Sequence, residues 1–126
     1  MKSLIFIFTF LALGAQAAGP SLTYHGRLLD SSDQPVSGSV SFRIQIRSPG
    51  TENCLLWEET QSQTLNEGVF VIAINGATSS RSDGGSHSFA EVFSNRKSFS
   101  FAAGKCDSGT TYVPSSTDAR LLRVSF

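Results

Sequence analysis

Between Ser39 and Arg47 the chain reads Ser-Val-Ser-Phe-Arg-Ile-Gln-Ile-Arg. Val40, Phe42, Ile44 and Ile46 alternate with polar or charged residues. A period of two places all four on one face of an extended strand and the rest on the other. One face is therefore buried and the other solvated. A helix would scatter these residues around its axis, so the segment commits the chain to a β architecture.

The flanking residues agree. Asp30-Ser31-Ser32-Asp33-Gln34-Pro35 reads as a turn, because Asp and Ser offer side-chain bonds to the backbone and Pro35 fixes its own φ. Ser48-Pro49-Gly50 breaks the alternation at the other end. Leu22, Tyr24, Gly26 and Leu28 alternate in an earlier strand. A third strand is expected from about Cys54 to Gln61, and Asn66-Glu67-Gly68 is a turn. Val69 to Ile74 is apolar throughout and predicts a strand covered on both faces. Gly76 to Ser88 holds Ser, Gly, Asp and Arg with little to bury, and reads as a mobile surface loop. Ser88 with Glu91 three residues on is a capping pair for one or two helical turns, with Phe89, Val92 and Phe93 packing down. Ser98 to Phe101 alternates again. Arg120 to Phe126 is a last strand with Leu122, Val124 and Phe126 on one face. The fold expected is all-β: an antiparallel β-sandwich with at most one short helix.

Residues 1–17 have the form of a secretory signal peptide. Lys2 is the positive start, Leu4 to Leu13 the apolar run, and Ala15-Gln16-Ala17 the small residues of a cleavage site. The run is about half of the ~20 residues that a spanning helix needs. Residues 18–126 then form a single domain in an exported protein, with no membrane span after the signal is removed. Without Lys2 the ten Lys and Arg become nine, against ten Asp and Glu, for a net charge near −1. Such a balance gives no electrostatic footprint for nucleic acid. Cys54 and Cys106, in an oxidising compartment, are either a disulfide or two separate buried thiols.

Catalytic and metal chemistry find little support. His25 and His87 are the only histidines, and neither has a sequence context that supplies an orienting acid and a nucleophile. Asp30, Asp33 and Asp83 sit in turns, too dilute for the oxygen ligands of calcium. No cofactor is expected. Tyr24, Trp57 and Tyr112 are candidates for a sugar-stacking platform, with His25 as a polar neighbour. The alternative for Trp57 is a place in the core. Tyr112, two residues before Pro114, is also suited to anchor a loop through its hydroxyl. Arg120 and Arg123 either guard an edge strand or, with Asp118, hold an inter-chain contact.

Three stretches carry a family resemblance. They are Ser21-Leu22-Thr23-Tyr24-His25-Gly26-Arg27-Leu28-Leu29-Asp30 with Gln34-Pro35-Val36; Gly68-Val69-Phe70-Val71-Ile72 with Asn75-Gly76; and Tyr112-Val113-Pro114 through Asp118-Ala119-Arg120 to Arg123-Val124-Ser125-Phe126. Together they resemble the N-terminal head domain of the trimeric adhesive surface fibres of predatory bacteria. Val71 stands where an acidic residue is expected. The resemblance implies a non-enzymatic, exported cell-surface protein that contacts a host envelope polysaccharide or outer-membrane component. It implies a homotrimer when the head belongs to a longer fibre with a shaft. The alternative is a structural or assembly module, or a degenerate fragment of a fibre gene, with the sheet truncated at Phe126. The opening pattern is also similar to that of transthyretin-like and immunoglobulin-like modules.

Overall fold

The computed structural model describes residues 19–126. The expected signal peptide, residues 1–17, lies outside the described residues. The fold is mostly β, with antiparallel sheets and one short helix. Its elements are β1 (Leu22–Arg27), β2 (Gly38–Arg47), β3 (Leu55–Leu65), β4 (Val69–Ile74), β5 (Ser80–Arg81), α1 (Phe89–Val92), β6 (Phe99–Ser100), β7 (Thr111–Tyr112) and β8 (Leu121–Ser125). The larger sheet has the order β5-β3-β2-β8. A ribbon of β1 and β4 packs on its inner face, and β6 pairs with β7. No helix among the described residues is long and apolar enough to cross a membrane.

The alternation in β2 is followed except that Gln45 is buried on the outer face against Glu58 and Val40 is only half-buried. Phe42, Ile44 and Ile46 are buried, while Ser39, Ser41 and Arg43 are exposed. Phe42 meets Phe70 of β4 at a centroid distance of 5.0 Å. Ile72 and Ile74 complete that side of the core. The Ser88–Glu91 capping box forms as expected, with each side chain bonded to the other residue's backbone N–H. Phe89 and Val92 are buried, but Phe93 stays 42 % exposed.

Three elements differ from the sequence reading. First, β3 does not stop at Gln61 but runs to Leu65. Its inward polar residues reach the backbone of β4. Gln63 Nε2 donates to the Val71 carbonyl, Gln61 Nε2 to the Ala73 carbonyl at 3.4 Å, and Asn75 N–H to Glu59 Oε2 at 2.9 Å. Side chains thus take the place of a backbone ladder. Second, β4 is covered on one face only. Phe70, Ile72 and Ile74 are buried, while Val69 and Val71 are each 56 % exposed. Among the described residues the ribbon has the larger sheet beneath it and no element above it. Third, the segment from Gly76 to Ser88 is pinned. Ser82 N–H donates to the Glu58 carbonyl at 2.8 Å, and Asp83 is buried. The fixing groups are polar, so hydropathy does not register them.

The β3–β4 turn fixes where the ribbon leaves the sheet. Glu67 (φ 53°) and Gly68 (φ 74°) both have positive φ, as a two-residue type I′ turn requires. Gly68 also passes close to β1's end: Leu28 N–H donates to its carbonyl at 2.8 Å, and a Cβ at Gly68 would lie 2.3 Å from the Leu28 oxygen.

Candidate functional site

The four predicted contact residues do not form one platform. Trp57 is in the core, 4 % exposed. Its indole N–H donates to Glu59 Oε2 at 2.8 Å, Phe89 meets its ring edge-on at 5.0 Å, and the Arg81 guanidinium lies 4.0 Å over its face. Tyr112 is also buried. Its hydroxyl donates to Asp118 Oδ2 at 2.8 Å and accepts from Arg120 at 3.0 Å. Burial and the Asp118 bond push its phenol up to about 12. The loop-anchoring alternative thus describes the bonds Tyr112 makes. Tyr24 and His25, being neighbours on β1, face opposite sides of the ribbon. Tyr24 faces inward toward Phe70, 5.8 Å between centroids, yet stays 38 % exposed. His25 lies opposite Val71 on the outer, solvated face.

Cys54 and Cys106 form a disulfide. It fastens the segment before β7 to the start of β3, where Leu55 N–H donates to the Lys105 carbonyl and Asp107 N–H to the Glu52 carbonyl, both at 2.8 Å. Beside it lies a cleft of about 190 Å³ whose wall includes Asp83, Ser86, His87, Phe101 and Lys105. His87 is no freely solvated loop residue: its Nε2 is bonded to the Leu56 carbonyl and its ring packs on Phe99 at 5.4 Å. Burial raises the Asp83 carboxyl, but Arg81's paired bonds and charge, with the Gly85 N–H, outweigh it and hold the group below the usual range. These groups satisfy one another. A second cleft, of about 350 Å³, is lined by Pro49, Glu52, Tyr112, Val113 and Asp118. There Asp118 is held below the usual range by bonds from Ser115 and Tyr112. Among the described residues no three His, Cys, Asp or Glu gather as a metal site. Among the described residues neither histidine is hydrogen-bonded to an acid or a hydroxyl.

On the outer face of the larger sheet, Glu58 accepts from Arg43 Nε at 2.9 Å and Nη2 at 2.7 Å, from Gln45 Nε2, and from Ser82 at 3.0 Å. Burial raises its carboxyl, and these bonds together bring it below the usual range. Arg120 is likewise used within the chain. It donates to the Val92 carbonyl at 2.6 Å and the Ser94 carbonyl at 3.0 Å.

An incompletely covered apolar surface lies at the seam between the β8 edge of the larger sheet and the ribbon. Among the described residues β1 pairs only with β4, and β8 only with β2. The register sets Val124 opposite Ile44 and Leu122 opposite Ile46, so β8 continues the apolar inner face of β2. That inner row is incompletely covered: Leu122 is 44 % exposed and Phe126 72 %. From the ribbon side Leu22 (45 %) and Tyr24 contribute. A chain of rings joins the two sides. Tyr24 packs on Phe70, Phe70 on Phe42, and Phe42 on Phe126 at 6.2 Å. The alternation of Leu122, Val124 and Phe126 is visible in the sequence. Their exposure is not, since it depends on which strand edges the fold leaves unpaired.

A family model described as a domain of unknown function, DUF8740, matches residues 23–113. The chain belongs to the DUF8740 family. The DUF8740 match runs from β1 to the residue after β7, and β8 lies beyond it. No curated protein and no solved structure matches the chain.

Proposed function

We propose that this DUF8740 protein is an exported, non-enzymatic contact domain of the cell surface, with the head-like role implied by its resemblance to adhesive fibres. The observation that carries the reading is the open seam. An apolar row that a self-sufficient sheet would cover is presented at the edges of two layers, and exposed apolar surface of this kind marks contact sites. The Cys54–Cys106 disulfide supports export, because such bonds persist in oxidising compartments. The finer fold assignment, an immunoglobulin-like or transthyretin-like sandwich, belongs to the same proposal. It is supported by the two layers meeting across Phe42 and Phe70.

The expected partner is an envelope polysaccharide or an outer-membrane component, and a homotrimer is expected where the domain heads a longer fibre. The test is retention of the purified, folded protein on immobilised envelope polysaccharide and on outer-membrane vesicles. Retention that falls with Phe126→Ser or Leu122→Ser, while the circular dichroism spectrum is unchanged, is the expected result. Failure of the folded protein to bind either fraction overturns the adhesive role. A second reading, an assembly module, is favoured by the unpaired edges of β1 and β8. It predicts that the same substitutions abolish assembly with neighbouring subunits and leave envelope binding intact.

A further inference from the structure

We infer that the β8 edge accepts an extended strand of another polypeptide, one that alternates apolar with acidic side chains. The inference deepens the contact reading above and rests on it, in that it takes the seam as the working surface.

The apolar half of the specificity comes from the inner row. A strand laid beside β8 continues the sheet β5-β3-β2-β8 by one member. Its inward side chains fall next to Leu122, Val124 and Phe126, on the side of the sheet that Phe42 and Phe70 link to Tyr24. Leu122, Val124 and Phe126 are the incompletely covered groups. Main-chain bonds to a free edge supply affinity, and alternate side chains supply selectivity.

The acidic half comes from charge. β1 and β8 read Leu-Thr-Tyr-His-Gly-Arg and Leu-Leu-Arg-Val-Ser, and neither contains an Asp or Glu. Arg123 sits on the outer face of β8, opposite Gln45 and beside Arg43 in the adjacent row. Arg43 is already paired with Glu58. Among the described residues Arg123 has neither an ion pair nor a side-chain hydrogen bond. An acidic side chain on the incoming strand meets that unmatched guanidinium as a cross-strand pair. A second copy fits poorly: antiparallel pairing of two β8 strands about Arg123 opposes like charges, and β1 would bring His25 and Arg27 instead.

The test uses the purified protein and peptides of about six residues, an ordinary strand length, alternating Val with Glu or Val with Lys. Binding is read by fluorescence anisotropy with a neutral dye. The Glu peptide is expected to bind about tenfold more tightly than the Lys peptide, with Arg123→Glu reversing the order. Phe126→Ser weakens both, and methylating alternate peptide nitrogens of the Glu peptide abolishes its binding. Equal binding of the two peptides, no binding by folded protein, or an order unchanged in Arg123→Glu overturns the inference. So does a concentration-dependent dimer that Phe126→Ser dissolves, since the occupant is then a second copy. Envelope retention measured on the same preparations separates the two proposals. Retention without peptide binding sinks the strand site alone. Peptide binding without retention sinks the adhesive role and leaves the strand site standing.

Discussion

Replacing Glu59 by leucine removes the buried carboxyl group that ties Trp57 and Gln61 of β3 to Asn75 just after β4. Glu59 is fully buried. Its carboxyl accepts from the Trp57 indole at 2.8 Å, from Asn75 N–H at 2.9 Å and from the Gln61 amide at 3.2 Å. Leucine roughly preserves volume and removes every acceptor. Gln61 keeps the Ala73 carbonyl as a partner. The buried Trp57 indole N–H and the part-buried Asn75 N–H are left without their Glu59 acceptor. An unsatisfied buried donor costs about 1–3 kcal/mol and a part-buried one less, so the loss expected is about 1–4 kcal/mol. That is a large fraction of the ~5–15 kcal/mol of an ordinary domain. Glu59→Gln keeps one acceptor oxygen and turns one N–H against a donor, and should cost about 1–3 kcal/mol. The assay is urea unfolding without reductant, followed by the fluorescence of Trp57, the single tryptophan. A lower midpoint with an unchanged m-value reports stability rather than a change in the denatured state. Glu59→Leu within about 0.5 kcal/mol of the parent, an ordinary surface effect, refutes the reasoning.

Gly68→Ala forces a Cβ into positive-φ backbone and to within 2.3 Å of the Leu28 oxygen. We expect a loss of about 2 kcal/mol or more, read as a fall in Tm of roughly 8 °C; an unchanged Tm shows that the β3–β4 turn adapts. Reducing Cys54–Cys106, or replacing both with Ala, should remove about 4 kcal/mol on the chain-entropy account, measured as a shift in the urea midpoint. Bonds from Lys97 and from Ser88 N–H hold the Glu91 carboxyl down to about 2. Because its folded value lies below the usual one, its contribution to the α1 cap is present above pH 4.5 and lost as pH falls through about 2. The Ser88 amide resonance should follow that titration, and Glu91→Gln should flatten it.

What was legible in the sequence was local. Phe42, Ile44 and Ile46 occupy one face because a period of two leaves no other arrangement. Ser88 and Glu91 cap a helix because both bonds close within four residues. Cys54 and Cys106 are joined, which is one of the two alternatives that an even count of cysteines leaves open. What stayed hidden depended on non-local polar partners. Gln61 read as the end of a strand and Gln63 as lying beyond it, because a side chain bonding to a distant backbone has no periodic signature. Arg81 and Asp83 read as loop residues, although their mutual bonds and the face of Trp57 fix them. Val69 and Val71 read as covered, since nothing local tells how many layers a sheet acquires. The seam belongs to the same class. Leu122 and Phe126 have the composition of core residues, and their exposure is decided by β1 and β8 having one partner each.

The side-chain joint between β3 and β4 makes the domain mechanically anisotropic. Force drawn along β2, β3 and β8 shears antiparallel backbone ladders, in which many bonds share the load. Force that lifts the ribbon away from β3 falls on the amide side chains of Gln61 and Gln63, on Glu59, and on the turn at Glu67 and Gly68. Those bonds are few and load one after another, as in a zipper. Single-molecule pulling through β2 and β8 should therefore meet a higher rupture force than pulling through β3 and β1. A domain of this build resists strain in the plane of its sheet and yields first at the corner where the ribbon turns over.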